Sequence, residues 1–513
     1  MLLADLCRAA ADVAATSSRL EKRARLADLF AGRPAADLVL AVTYLTGELP
    51  QGRIGVGPSL LRQALEEAGS NDEQQPGLTL KDIDERFDAI ALISGAGAVG
   101  RRRESLVDLF ARAGRDGSDF LARLLYGELR HGALEALLLD AIADATGVEI
   151  ALVRRAAMLT ADPARVASIA MASGAAGLEA IRLTPLAPVR PMLAQPAEDL
   201  ESAFSAIPRA FVDLKLDGAR VQIHKDADSV RIFSRQLNDV TAAVPDVVDR
   251  IRELPVADCV LDGEVLLLKE DGRPEPFQTT MRRFGRKRPD AATLARQPLT
   301  LFLFDCLYAA GEPLIDRPLT ERIAALARFA PAELMVPRIQ TDDAEAATRF
   351  FHKALADGHE GIMVKQPDSL YAAGSRGAAW LKIKHAHTLD LVVLAAEWGS
   401  GRRKGWLSNL HLGARDGNNF VMLGKTFKGL TDKLLRWQTK ALLERETRRD
   451  EYTVYVRPEL VVEIAVNEIQ ESPQYPAGMA LRFARVRRYR DDKSALEADT
   501  IDTVRKLYTQ HAA

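Results

Sequence analysis

In Val212-Asp213-Leu214-Lys215-Leu216-Asp217-Gly218-Ala219-Arg220, apolar residues alternate with Asp213, Lys215 and Asp217. A strand of that period turns the three charged side chains to one face. A lysine held between two carboxylates, followed by a glycine that lets the backbone turn or a ligand come close, suits a nucleophile. Downstream come Ser234-Arg235, Asp262-Gly263-Glu264, Phe304-Asp305, Glu360-Gly361-Ile362-Met363-Val364-Lys365 and Trp380-Leu381-Lys382-Ile383-Lys384, each at the edge of a predicted strand. With Arg220 they supply a nucleophilic amine, two acids suited to Mg²⁺, an aromatic that stacks on a base, and cations for phosphates. That set of groups is what nucleotidyl transfer requires.

The elements that must hold these residues fall into three regimes. Up to about residue 183 the chain is rich in Ala, Leu and Arg with helical spacing, such as Phe120, Leu121, Leu124 and Leu125 behind a Ser118-Asp119 cap, which predicts an all-α region. Tyr44-Leu45-Thr46-Gly47-Glu48-Leu49-Pro50-Gln51-Gly52 is echoed by Leu124-Leu125-Tyr126-Gly127-Glu128-Leu129-Arg130-His131-Gly132, so two helical halves each present a glycine turn, a good phosphate contact. Pro185, Pro188 and Pro191 mark a linker. Short strands alternate with helices near 244–254, 319–329 and 344–356, which predicts an α+β domain reaching about His385. From about Thr388 the alternation of Leu460, Val462, Ile464 and Val466 predicts a small β-barrel.

Composition fits that plan. A chain of 513 residues exceeds one core, and 47% hydrophobic with 27% charged residues is ordinary for a folded, soluble protein. The amphipathic N-terminus does not read as a signal peptide and no apolar run is long enough to span a bilayer, which predicts a cytosolic protein. Cys7, Cys259 and Cys306 are scattered and read as reduced core residues, not as a disulfide or zinc framework. The net charge of −2 leaves any nucleic-acid contact to local patches, of which 282–288 and 482–493 stand out.

The ordered series from Lys215 to Lys384, completed by Ala480-Leu481-Arg482-Phe483-Ala484-Arg485, resembles the six signature motifs of the covalent nucleotidyltransferases, the ATP-dependent ligases and mRNA capping enzymes. With its helical front region the whole chain resembles the three-domain bacterial ATP-dependent DNA ligases of the B type. The resemblance implies an all-α DNA-binding domain (1–183), an α+β nucleotidyltransferase or adenylation domain (184–387) and a C-terminal β-barrel OB-fold domain (388–513). It implies ATP as co-substrate, Mg²⁺, and nicked double-stranded DNA encircled by a monomer in the bacterial cytosol, associated with the nucleoid, in replication, repair or recombination. By position Lys215 attacks the α-phosphorus of ATP, Asp213 sits by the adenine, Arg220 and Glu264 lie near the ribose, and Phe304 stacks on the base. Arg235 meets the nucleotide or the nick phosphate, Glu264 and Glu360 hold metal, and Arg376, Lys382 and Lys384 meet phosphates. Arg482, Arg485 and Lys493 match the motif that orients departing pyrophosphate, while Glu463 and Arg402-Arg403-Lys404 with Trp406 are further candidates.

A free lysine is mostly protonated near neutral pH, so Lys215 must be desolvated or placed near cations, and Lys382, Lys384 and Arg220 are the expected ones. Two positions depart from the family pattern. Asp213 stands where most such ligases have glutamate, and Ala484 replaces a proline of the last motif; neither removes a charge, and activity is expected to survive both. A capping guanylyltransferase or an RNA ligase shares the lysine motif but needs no long helical front. An NAD-dependent ligase needs more cysteines, and a decayed DNA-binding protein has no reason to keep Lys215, Glu264, Glu360, Lys382 and Lys384 together.

Overall fold

The computed structural model describes residues 1–69, 77–129, 135–373, 378–384 and 387–512, the last three through their backbone alone. Helix follows helix from Leu3–Ala15 to Pro163–Glu179, around a core that runs from Met1 to Leu178 and buries Phe30, Tyr44, Phe87 and Phe110. Ser118-Asp119 does not begin a helix, contrary to the sequence expectation. Ala98–Tyr126 is broken instead at Gly114, where φ is 67°, and Ser118 Oγ donates to the Phe110 carbonyl at 2.9 Å. A glycine takes that φ without a Cβ clash, so it, and not the polar pair, decides where the helix kinks.

The glycine turns have one conformation in common. Gly47 and Gly127 have φ of 81° and 70°, and the next amide in each, Glu48 or Glu128, donates back to Thr43 or Arg123 at 3.1 and 2.9 Å. Both therefore close a helix with the left-handed six-to-one cap. Arg130, His131 and Gly132 of the second copy lie outside the described residues.

Two antiparallel layers follow. One five-stranded sheet runs Gln195–Pro196, Trp380–Lys384, Gly361–Lys365, Ala210–Lys215, Arg338–Thr341, with only the short first strand parallel to its neighbour. Its even-numbered Val212, Ile362 and Val364 pack with Leu381 and Ile383 on helices Leu200–Ala206 and Ala344–Ala356. The opposite face is left to Asp213, Lys215, Met363, Lys365 and Lys382. A second five-stranded sheet runs Ser229–Ser234, Ala219–Asp226, Asp258–Leu266, Thr300–Ala309, Glu312–Pro313. The chain passes from one sheet to the other through Leu216-Asp217-Gly218. A Cβ on Gly218 would stand 2.4 Å from the Val265 carbonyl oxygen, so the crossing is closed to any other residue.

In the C-terminal region seven strands share one sheet, centred on His387–Trp398. Its first half pairs with Val461–Val466 and its second with Thr453–Val456, which makes the sheet turn along one long strand. The two ends approach each other where Val486 N donates to the Lys428 carbonyl at 3.0 Å and Thr426 Oγ1 to the Ala484 carbonyl at 2.5 Å. The latter bond also holds the loop at Ala484 from a neighbouring strand, where a proline would have stiffened it from within. Among the described residues no helix is long and apolar enough to cross a membrane. Cys259 and Cys306 are buried, Cys7 is half-buried, and all three are free thiols.

Candidate active site

Register explains why the motif residues meet. Lys215 lies opposite Gly361, which lies opposite Lys384; Asp213, Met363 and Lys382 form the next row, and Phe211, Lys365 and Trp380 the one after. Gly361 leaves a gap between the two lysines of its row. A Cβ there would lie 2.1 Å from the Ile383 carbonyl oxygen, and the φ of 148° also excludes most side chains. Glu360, immediately before it, uses that gap: its carboxylate pairs with Lys215 Nζ on one side and Lys384 Nζ on the other.

The charge balance around Lys215 differs from the sequence expectation. Burial works to lower its amine, but the charges of Glu360, Glu264 and Asp217 prevail and hold it above the usual lysine value. Lys384, expected to push the proton off, is itself neutralised by Glu360. Burial works to raise Glu360, yet Lys215 and Lys384 keep it below the ordinary glutamate range. At Glu264 burial prevails over the charges of Lys215 and Arg220 and pushes the carboxyl up to about 7. Asp217 is raised by burial and by Glu360.

Asp213 stands in the cavity wall as the centre of a buried ion cluster. Only 1% exposed, it receives Arg338 Nη2 at 2.7 Å and Lys365 Nζ at 2.6 Å, so its oxygens are engaged. Its cross-strand neighbour is Arg338, which explains the pairing. The short aspartate draws the carboxylate back onto the sheet, where a glutamate would reach one methylene farther. Arg338 Nη2 also donates to the Phe304 carbonyl at 3.0 Å, tying the candidate stacking residue to the same cluster. Lys365, the last residue of the motif that begins at Glu360, is 2% exposed and lies against the Phe304 and Trp380 rings at 4.5 and 4.3 Å.

Asp213 and Lys365 line one cavity that also takes in Lys215, Arg220, Arg235, Glu264, Phe304 and Lys382. Leu214, Met363 and Trp380 give it apolar walls. Arg220 and Glu264 are cross-strand neighbours. Arg220 is anchored by Asp262 at 2.8 Å, the Met192 carbonyl at 2.6 Å and the Tyr371 hydroxyl at 3.3 Å, leaving its buried Nε without a protein partner. Trp380, Met363, Tyr371 and Arg338 were not singled out by sequence. Trp380 stood inside a quoted motif, but nothing local marked Arg338.

A second cavity continues past Glu360 and Asp217 to the C-terminal sheet region, where Arg482 and Phe483 close it. Arg482 Nη1 bonds Asp217 at 3.1 Å and pairs with Glu468. Its expected companions do not join it. Lys493 pairs with Asp390 at 2.6 Å, Arg485 sits exposed opposite Ala465, and Glu463 receives Arg488 at 2.9 Å. Arg402 pairs with Asp432 at 3.0 Å and Arg403 donates to the Phe427 carbonyl at 2.6 Å, both within the C-terminal region. The basic stretch 282–288 is not one patch: Arg283 is buried on Asp246 and the Ala243 carbonyl, each at 3.0 Å. Arg376 lies outside the described residues.

Comparison with known proteins agrees with this geometry. Residues 191–384 match the family model described as the ATP dependent DNA ligase domain, 403–493 the ATP dependent DNA ligase C terminal region, and 66–143 the DNA ligase N terminus. A "Probable DNA ligase" of Anaeromyxobacter sp. (strain Fw109-5) is 54% identical, covering 100% of this chain and 99% of that one. Another, from Anaeromyxobacter dehalogenans (strain 2CP-C), is 54% identical over 99% and 100%. A solved structure named Pmar-Lig_Pre has the same fold, with a TM-score of 0.61 at 18% identity over 95% of this chain and 99% of that one. The chain belongs to the ATP-dependent DNA ligase family.

Proposed function

We propose that this DNA ligase uses Lys215 to take AMP from ATP and passes it to the 5′-phosphate of a nick, after which the 3′-hydroxyl attacks and AMP leaves. The observation that carries the assignment is the row Lys215, Gly361, Lys384 with Glu360 between the amines. In the resting site Lys215 is an ammonium, paired with Glu360, and cannot attack. Glu360, in contact with Nζ, takes the proton as it turns from Lys215, and the neutral amine is left with its lone pair free in the cavity that Lys215 lines. Nζ then bonds to the α-phosphorus, the bond to the bridging oxygen breaks, and pyrophosphate departs. Positioning and charge on the phosphate oxygens account for most of such a rate.

The nucleoside end of the cavity follows from the same rows. Phe304 offers a ring to the adenine, Arg220 Nε and Glu264 face the ribose, and Arg235, Lys382 and Lys384 are set for phosphates, with Arg376 joining them by motif position. Arg482 enters from the C-terminal region to meet the pyrophosphate. Asp213 acts through Arg338 and Phe304 and not by touching the base. Among the described residues no three acidic, His or Cys side chains are placed together to hold a metal ion by themselves, but Glu264 and Glu360 are oxygen donors near one amine. That donor set fits Mg²⁺, which is commonly held by one or two carboxylates plus substrate phosphates. When bound, it supplies positive charge to the phosphates and competes for Glu360.

On the same reading, residues 1–183 grip DNA, 184–387 form the adenylation domain and 388–513 an OB-type barrel, and the three encircle nicked duplex as a monomer in the bacterial cytosol at the nucleoid. The amides of Gly47, Glu48, Gly127 and Glu128 are taken up by the helix caps, so the grip on phosphates falls to cationic side chains, which makes binding steeply salt-dependent. Incubation with α-labelled ATP or GTP and Mg²⁺, followed by addition of a nicked duplex, tests the reading. A covalent label from ATP that is discharged as the nick is sealed is expected; labelling from GTP alone would overturn it.

A further inference from the structure

Arg482 reaches Asp217 from another part of the fold, and something must keep its long side chain there. Its guanidinium lies 3.9 Å from the centroid of the Phe277 ring, nearer than the 5.1 Å to Phe483. Phe277 is the first residue of helix Phe277–Phe284, directly after Pro276, whose ring fixes the backbone entering the helix. That helix also meets the C-terminal region through Gln278 Nε2, 3.4 Å from the Glu471 carbonyl, and through Arg282, 4.0 Å from the Glu471 carboxylate. The strands Glu468–Glu471 and Met479–Arg482 form a separate two-stranded ribbon that bears these contacts. Phe277 is thus the aromatic element of a seat on which the ribbon's end rests.

We propose that Phe277 is a positioning residue for the adenylation step: its ring face holds the Arg482 guanidinium flat beside Asp217, ready for the departing pyrophosphate. The proposal rests on the reading of Arg482 given above. An arginine pre-ordered by a ring loses less freedom when it meets its anion, and the ring quadrupole attracts the cation directly. Sealing of a nick that already carries AMP involves no pyrophosphate, so the contact has no part in it.

The test measures single-turnover self-adenylation with α-labelled ATP and, separately, sealing of a pre-adenylated nick without ATP, for wild type, F277A, F277L and F277Y. F277A is expected to lower the maximal adenylation rate about tenfold, the scale of one desolvated cation–π contact, with little change in the ATP concentration needed. F277L should fall as far, because it fills space without a π face, and F277Y should keep the rate. All four should seal the pre-adenylated nick alike. Adenylation by F277A at the wild-type rate, rescue by F277L, or equal loss in both assays would overturn the proposal. A wild type that takes no label from ATP would instead overturn the function on which it rests.

Discussion

Two clusters at the wall of the cavity share a composition, one carboxylate between two cations, and differ in what water can reach. Around Glu360, the side chains of Lys215, Glu360 and Lys384 are 17, 15 and 23% exposed. Around Asp213, Lys365 and Asp213 are 2 and 1% exposed and Arg338 is 11%. In the first, solvent or substrate phosphate replaces a partner that moves, so the arrangement can change state during reaction. In the second no replacement is at hand, and the same three charges act as a fixed brace beneath Phe304. Identical chemistry therefore serves motion in one place and rigidity in the other, and depth decides which.

Asp213→Ala gives the sharpest break. It leaves Arg338 and Lys365 buried without an anion, and the loss of stability in chemical denaturation should be about 3–5 kcal/mol. Glu360→Gln should change stability by less than about 1 kcal/mol, since its cations keep some water. Its effect falls on chemistry, with self-adenylation slowed about 100-fold, or roughly 2.7 kcal/mol in barrier. The pH profile refines this: Glu360 raises the Lys215 amine, so the glutamine variant should show its rise with deprotonation of Lys215 at lower pH than wild type. Equal destabilisation by the two variants would erase the distinction between the clusters.

A smaller effect belongs to Glu264, raised to about 7 by burial. The native state then holds a proton that the unfolded chain releases near its ordinary value, so stability should fall as pH rises from about 4.5 to about 7. ATP binding with Mg²⁺ should strengthen over the upper part of that window as the carboxylate ionises. Both trends should vanish in Glu264→Gln, measured by thermal shift and by nucleotide titration.

Much of this was legible in the sequence because the motifs sit on strand edges with period two. The alternation at Val212 to Lys215 correctly placed Asp213 and Lys215 on one face, and the strands and helices around them lie close to where apolar spacing put them. What escaped was contact between distant segments. Arg338 is 125 residues from Asp213. No local pattern links them, so Asp213 read as a nucleotide contact with an odd side chain, and its ion pair with Arg338 went unseen. Likewise Lys384 read as a cation that would unload Lys215, because only the register reveals Glu360 neutralising both. Arg283 read as part of a surface patch, although an arginine facing Asp246 across the fold looks the same in sequence as one facing solvent.

Three lysines line the cavity, Lys215, Lys365 and Lys382, and Lys384 lies beside it on Glu360; the account stands on the first alone carrying AMP. Peptide mapping by mass spectrometry after incubation with ATP and Mg²⁺ tests this directly. A phosphoramidate-linked AMP on Lys215, absent from Lys215→Ala, is the predicted result. The same adduct on Lys365, Lys382 or Lys384 in the wild type would contradict it.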